Sequence, residues 1–238
     1  MSTSTILGSK RDLELREIAS LTKIMTSYTV LTLIENKMLG SMNDIIKISK
    51  SSANTTGTSA DLLEGDEITV RDLLYGLMLP SGNDAALALA EHFGKKLQGP
   101  NPISNFIDEM NNNCKILKLF YTTFANPHGL AIKRNLSCAR DVCKMASGAM
   151  KLMSFRIIVS TKTYTACIKS NDGEIRMKTW ENTNKLLNKG FSGIKTGVTN
   201  KAGPCLCSSY ENVIVTLLNS KSMEDRWREA EILVRLNK

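Results

Sequence analysis

The sequence predicts an α+β protein: an antiparallel sheet flanked by helices, with an all-helical lobe set into the chain ahead of the strands. Three observations carry this expectation. Helical periodicity dominates residues 20–150. Five short β-rich runs separated by turn signals follow it. The chain then closes on one more amphipathic helix.

Taken in order, the segment up to Ile18 is short and mixed, with STIL a candidate strand remnant. From Ser20 onward Leu21, Ile24, Met25, Tyr28, Leu31 and Met38 recur at three- and four-residue spacing, which predicts a helix closed by Gly40. Residues 44–65 are polar and rich in Ser, Thr and Asn, and read as loops with short strands. Thr69 and Asp72 form a capping-box-like start to the helix VRDLLYGLM, which Pro80 ends. After the loop SGN, DAALALAEHF is strongly helical. Further helices are expected over Ile103–Leu117 and, with Ser137 as cap, Ser137–Met150. TKTYTACI, GEIRMKTW, GFSGIKTG, KAGPCLCSS and NVIVTLL then read as strands, and SMEDRWREAEILVRL as a helix capped at Ser222.

At 238 residues, with no internal repeat or linker, one domain over 1–238 is expected. Its helical lobe runs roughly over 41–150, between the first long helix and the C-terminal strands. Hydrophobic residues at 42% and charged residues at 23% exclude a predominantly disordered chain. No apolar stretch nears the ~20 residues of a membrane span. The N-terminus also lacks the apolar core of a secretory signal, so the cytoplasm is the default expectation. The net charge of +8 comes from 31 scattered Lys and Arg without a run of five, which favours a solvated basic surface over a nucleic-acid site. Six cysteines form no C-x-x-C and only two His are present. No metal site and no cofactor are expected, and the thiols read as reduced and mostly buried.

Three short motifs carry the chemistry. In Ser20-Leu21-Thr22-Lys23, a helix places hydroxyl and amine on one face, within reach of each other. A serine needs a base to become a nucleophile, and a lysine serves only if burial or a neighbouring cation lowers its pKa. Taken alone, the motif also fits a capping serine followed by a solvated lysine. Ser81-Gly82-Asn83 reads as a turn with a helix cap, or as a hydroxyl relaying protons between two lysines beside an amide that orients Lys23. Lys195-Thr196-Gly197 lies on a strand reading FSGIKTG: it fits an edge-strand lysine followed by a turn, or an ammonium and hydroxyl facing an anionic group, with a glycine that lets a substrate strand come close.

Together and in this order, S-x-x-K, S-x-N and K-T-G resemble the motif set of penicillin-binding proteins and class A β-lactamases. The blocks EIASLTKIMT, LLYGLMLPSGNDAALALAEHFG, FANPHGL, NTNKLL and GIKTGVTNKAG resemble the D-alanyl-D-alanine carboxypeptidases of serine peptidase family S11. The resemblance covers the chain from about Glu17 onward.

The resemblance implies a β-lactamase/DD-peptidase-like fold and an acyl-enzyme mechanism. In it Ser20 is the nucleophile, Lys23 the general base and Ser81 a proton relay. Asn83 positions the peptide. Lys195 and Thr196 engage the substrate's terminal carboxylate, Gly197 lets the substrate strand approach, Arg226 matches an arginine associated with carboxylate recognition in relatives, and the N–H groups of Ser20 and Val198 form an oxyanion hole. The implied partners are a peptide ending in D-Ala-D-Ala, or a similar acyl-D-amino acid, and β-lactams as inhibitors. A non-catalytic peptide- or penicillin-binding relative is the alternative. A β-lactamase or esterase on the same fold is a further one, for which Glu181 and Asn184 offer only a superficial E-x-x-N. Relatives usually live in the cell envelope and carry two strands before the serine helix, where this chain has fewer than twenty residues. The expectation is either a sheet that lacks an edge strand or a sequence that starts after those strands.

Overall fold

The computed structural model describes residues 5–130 and 135–236. A 3-10 turn, Ala19–Leu21, leads into α1, Thr22–Glu35. This helix is buried on nearly every side: Ile24, Met25, Val30, Leu31 and Leu33 are inaccessible, and so are Thr26, Ser27 and Thr29. A helix buried all round belongs in the middle of a core. The expected extension to Gly40 does not form. Asn36 caps the helix and Met38 is 81% exposed with φ +55°, so its fit to the apolar spacing was coincidental.

Strand β1 (Ile45–Lys47), the short helix α2 (Lys50–Ala53) and strand β2 (Glu67–Thr69) follow. Helix α3, Val70–Met78, starts as expected: Thr69 Oγ1 accepts the Asp72 N–H at 3.0 Å. The Asp72 carboxylate takes the Thr69 hydroxyl and the Tyr164 hydroxyl, so this cap also ties the helix to a later strand. Helices α4 (Asn83–Lys95), α5 (Pro102–Ile116) and α6 (Ala139–Ala149) agree with the sequence reading to within a few residues. Cys138, not Ser137, occupies the cap of α6. Ser137 Oγ is instead engaged with Thr122 Oγ1 at 2.8 Å, while its backbone pairs with Arg16. Helix α7, Met153–Ser160, was not anticipated, since its eight residues are too few to show a clear period.

The α+β class stands, but the strands divide in two. Strands β3 (Thr163–Lys169) and β4 (Ile175–Glu181) join β1 and β2 in a four-stranded antiparallel sheet, in the order β1-β2-β3-β4. Residues 41–150 are thus not purely helical, because their two short strands pair with each other and β2 pairs with β3. A second sheet holds β5 (Ile194–Gly197), β6 (Cys205–Tyr210) and β7 (Val213–Leu217), all antiparallel. Residues 5–18 add no strand to either sheet; Arg16 forms only an isolated bridge with Ser137, ahead of α6. Helix α8, Asp225–Leu236, covers one face, burying Trp227, Ala230 and Val234 against Leu206 and Val215. Ser222 accepts the Asp225 N–H at 3.0 Å, as the sequence suggested.

The main core, built on α1, runs from the helical lobe to Ile194, Cys205 and Cys207 of the second sheet. Both cysteines point into it from one face of β6, and all six thiols are unbridged. No helix among the described residues is long and apolar enough to cross a membrane.

Candidate active site

The N-terminus of α1 meets the start of α4, strand β5 and the loop 125–130. Lys23 is the centre of this junction. It is fully buried, and its Nζ reaches three oxygens: Ser20 Oγ at 3.0 Å, Asn83 Oδ1 at 2.6 Å and the His128 carbonyl at 2.8 Å. Burial drives its pKa well below the ordinary lysine value, the Lys195 charge pushes the same way, and Asp84 opposes them. A surface lysine has neither pressure; the fold has supplied both.

Two non-glycine residues here have left-handed backbones, Ala19 at φ +47° and Ser81 at φ +71°. Each such residue costs ~1–2 kcal/mol; Ala19 directly precedes the Ser20 motif, and Ser81 opens its own. Ser20 itself is half-buried. The Ser81 hydroxyl is buried without a hydrogen-bond partner, while its carbonyl accepts from Thr58 Oγ1 at 2.5 Å. It does not bridge the two lysines, since all three Lys23 bonds go elsewhere. Asn83 Nδ2 donates to the Thr56 carbonyl at 2.7 Å, which fixes the amide so that its oxygen faces Lys23.

From β5, Lys195 is 1% exposed and donates to the Thr196 carbonyl at 3.1 Å. Burial, reinforced by the Arg226 charge, holds its pKa down to about 7. Arg226 is itself 5% exposed, stacks on Trp227, and donates to the carbonyls of Gly197 and Cys205. Strand β5 and helix α8 thus bring together two buried basic side chains that, among the described residues, no carboxylate pairs in direct contact. Thr196 Oγ1 lies 2.8 Å from Thr183 Oγ1.

Gly197 has a nearer reason than substrate approach: a Cβ there would sit 3.0 Å from the Ser20 nitrogen and 3.2 Å from Ala19 Cβ. The serine turn packs directly on the end of β5, and Val198, the next residue, is half-exposed. Asn184 caps the 3-10 turn Lys185–Lys189 and bonds Ser208, while Glu181 is exposed at the end of β4. That pair is structural.

Reading the sequence missed what holds these groups. Asp84, fully buried, accepts from the N–H groups of Ala60, Leu62 and Ala85 and from Ser59 Oγ, locking the loop beside Ser81 to α4. The loop FANPHGL contributes the His128 carbonyl, and Thr26 Oγ1 donates to Pro127 O at 2.6 Å. Neither role has a side-chain signature, because one is a helix-start acid and the other a backbone oxygen.

Gly129 at φ +91° is where this loop crosses the serine turn; an added Cβ would lie 1.9 Å from the Ala19 carbonyl oxygen. Gly129→Ala is expected to cost ~3 kcal/mol, measured by urea unfolding, because neither backbone can yield without moving Ser20.

Residues 1–221 match the family model of peptidase S11, D-alanyl-D-alanine carboxypeptidase. The D-alanyl-D-alanine carboxypeptidase of Streptomyces sp. strain K15 is 39% identical, with 96% of this chain and 81% of that protein aligned. The carboxypeptidase DacF of Bacillus subtilis is 34% identical over 87% of this chain, which spans 51% of its length. Among solved structures, the Streptomyces K15 DD-transpeptidase superposes with a TM-score of 0.88 at 38% identity, covering 96% of this chain and 90% of that one. DacD of Francisella tularensis superposes at 0.85 with 28% identity, covering 98% and 67%. The chain belongs to peptidase family S11, the D-alanyl-D-alanine carboxypeptidases, and is a serine-type hydrolase.

Proposed function

We propose that residues 1–238 act as one catalytic unit that cleaves the terminal D-Ala from peptides ending in D-Ala-D-Ala, through an acyl-enzyme on Ser20. The observation that carries this reading is the Lys23 amine, buried and 3.0 Å from Ser20 Oγ. A neutral amine has two N–H bonds and one lone pair. Asn83 Oδ1 and the His128 carbonyl can only accept, so they take both N–H bonds and leave the lone pair for the Ser20 proton.

As Ser20 Oγ attacks the peptide carbonyl, its proton passes to Lys23 Nζ. That proton then goes to the departing D-Ala nitrogen as the C–N bond breaks. Water attacks the resulting ester, gives a proton to Lys23, and restores the Ser20 hydroxyl. The N–H groups of Ser20 and Val198 stabilise the oxyanion; such donors are worth ~2.7–4 kcal/mol each. Lys195, Thr196 and Arg226 provide positive potential for the terminal carboxylate. Ser81, with a buried hydroxyl free of other bonds, relays the proton to the leaving group. β-Lactams acylate the same oxygen.

Incubation with a fluorescent penicillin, read by intact mass, tests this. One adduct per chain is expected, and none for Ser20→Ala. An adduct that survives in Ser20→Ala, or none on folded native protein, defeats the reading.

One relative of known structure, that of Streptomyces K15, is named a DD-transpeptidase, so an amine is a second acceptor to weigh. Product analysis on a D-Ala-D-Ala peptide with an added amine measures how the acyl-enzyme partitions between water and amine.

A further inference from the structure

We infer that Asn126 is a positioning residue for this chemistry. Its side chain holds the His128 carbonyl where it takes one Lys23 N–H and so aims the amine lone pair at Ser20. The inference rests on the acyl-enzyme reading above.

Asn126 is 5% exposed, and its amide closes the loop around one peptide unit. Its Oδ1 accepts the N–H of His128 at 3.2 Å and of Gly129 at 2.7 Å, while Nδ2 donates to the Leu130 carbonyl at 3.1 Å. The His128 carbonyl lies between the two N–H groups that Asn126 holds. A peptide plane pinned through its N–H has little freedom to rotate its C=O. The loop is further fixed on α1 by the Thr26 to Pro127 bond, one turn beyond Lys23. Asn126 touches neither Lys23 nor Ser20 in these bonds; it acts through the backbone.

The charged and titratable groups facing Lys23 are Lys195 from β5, Asp84 from α4 and the His128 imidazole from the loop itself. The imidazole is held neutral, its pKa pushed down to about 4 by burial and by Lys23. Asn126 thus supplies no charge, only geometry. An ammonium uses three acceptors and a neutral amine two. Losing the His128 acceptor therefore weakens the ammonium more and lowers the Lys23 pKa, while the lone pair loses its aim.

The test compares native protein, Asn126→Ala and Asn126→Asp by the rate of acylation with a fluorescent penicillin across pH. Rates are normalised to sites titratable at completion by intact mass. Asn126→Ala is expected to slow acylation per titratable site by about 100-fold, the scale of an ångström-sized misplacement. Its acid limb should move to lower pH. Asn126→Asp keeps an oxygen for both N–H groups, so its rate should recover to within about 10-fold of native. Its added negative charge should move the acid limb to higher pH.

A native per-site rate in Asn126→Ala overturns the inference. So does a loss confined to melting temperature or titratable fraction, which is what a merely structural residue would show. If Asn126→Ala does not fold, Asn126→Asp decides: a rate that does not recover, or a limb that does not move, overturns it. Failure of native protein to be acylated would instead remove the acyl-enzyme reading itself.

Discussion

Lys23→Gln is expected to slow acylation of Ser20 by penicillin about 10³- to 10⁴-fold while leaving the protein at least as stable as the native form. The rate loss is that of removing a general base from a serine with no other base in contact. Ser20 Oγ has Lys23 as its side-chain partner, and the glutamine amide nitrogen has no lone pair to offer a proton. The stability expectation follows from the same burial. Lys23 is inaccessible and in the field of Lys195, so the folded state resists its charge. A neutral side chain of similar length can still donate to Asn83 Oδ1 and the His128 carbonyl without that penalty. Stopped-flow acylation and urea unfolding measure the two halves. A Lys23→Gln protein that keeps its acylation rate would place the base elsewhere. One that loses both rate and stability would make Lys23 a structural residue.

Lys195→Met is expected to lower kcat/KM for a peptide with a free C-terminal carboxylate by about 10²- to 10³-fold, the scale for losing one partner of a buried charge pair. For the same peptide amidated at its C-terminus, native and variant should differ little. The pH dependence separates this from general damage. Lys195 is cationic below about 7 in the free protein and neutral above it. Native kcat/KM for the carboxylate substrate should therefore decline as pH rises past 7, and fall again at low pH as Lys23 takes a proton. The alkaline decline should disappear in Lys195→Met.

The stability linkage has a definite sign. The folded pKa lies below the value of 10.5 that an exposed lysine has, so between about 7 and 10.5 the unfolded chain binds the extra proton. Native stability gains with pH through that window, and the burial penalty is fully present below it. Lys195→Met should thus exceed native stability most at pH 6, with the difference shrinking towards pH 10. Urea unfolding of both proteins at pH 6, 8 and 10 measures it. A constant difference would mean that Lys195 is not the group that titrates.

The periodic parts of the chain were legible because their signal is local. The helix over Val70–Met78 declared its start at Thr69 and Asp72, and the strands from Thr163 onward alternated between turn residues. The motif residues Ser20, Lys23, Asn83 and Lys195 could be named because S-x-x-K, S-x-N and K-T-G, together and in this order, resemble a known motif set; each motif alone also fits a cap, a turn or a strand end. Met38, Ser137 and α7 show the limit. Apolar spacing, a capping residue type and an eight-residue run are weak cues that tertiary packing overrides.

By itself the sequence determined the α+β class and, apart from α7, most of the helix and strand order, and it pointed to the residues proposed to carry an acyl transfer. It did not determine how five C-terminal strands share two sheets, because pairing of β3 with β2 depends on residues about 100 positions apart. Nor did it determine that Lys23 is a base. That depends on desolvation and on Lys195, which lies 172 residues away in sequence (195 − 23), and on two acceptors, Asn83 Oδ1 and the His128 backbone carbonyl. A pKa is set by everything within a few ångströms of a group, and only folding brings those neighbours together.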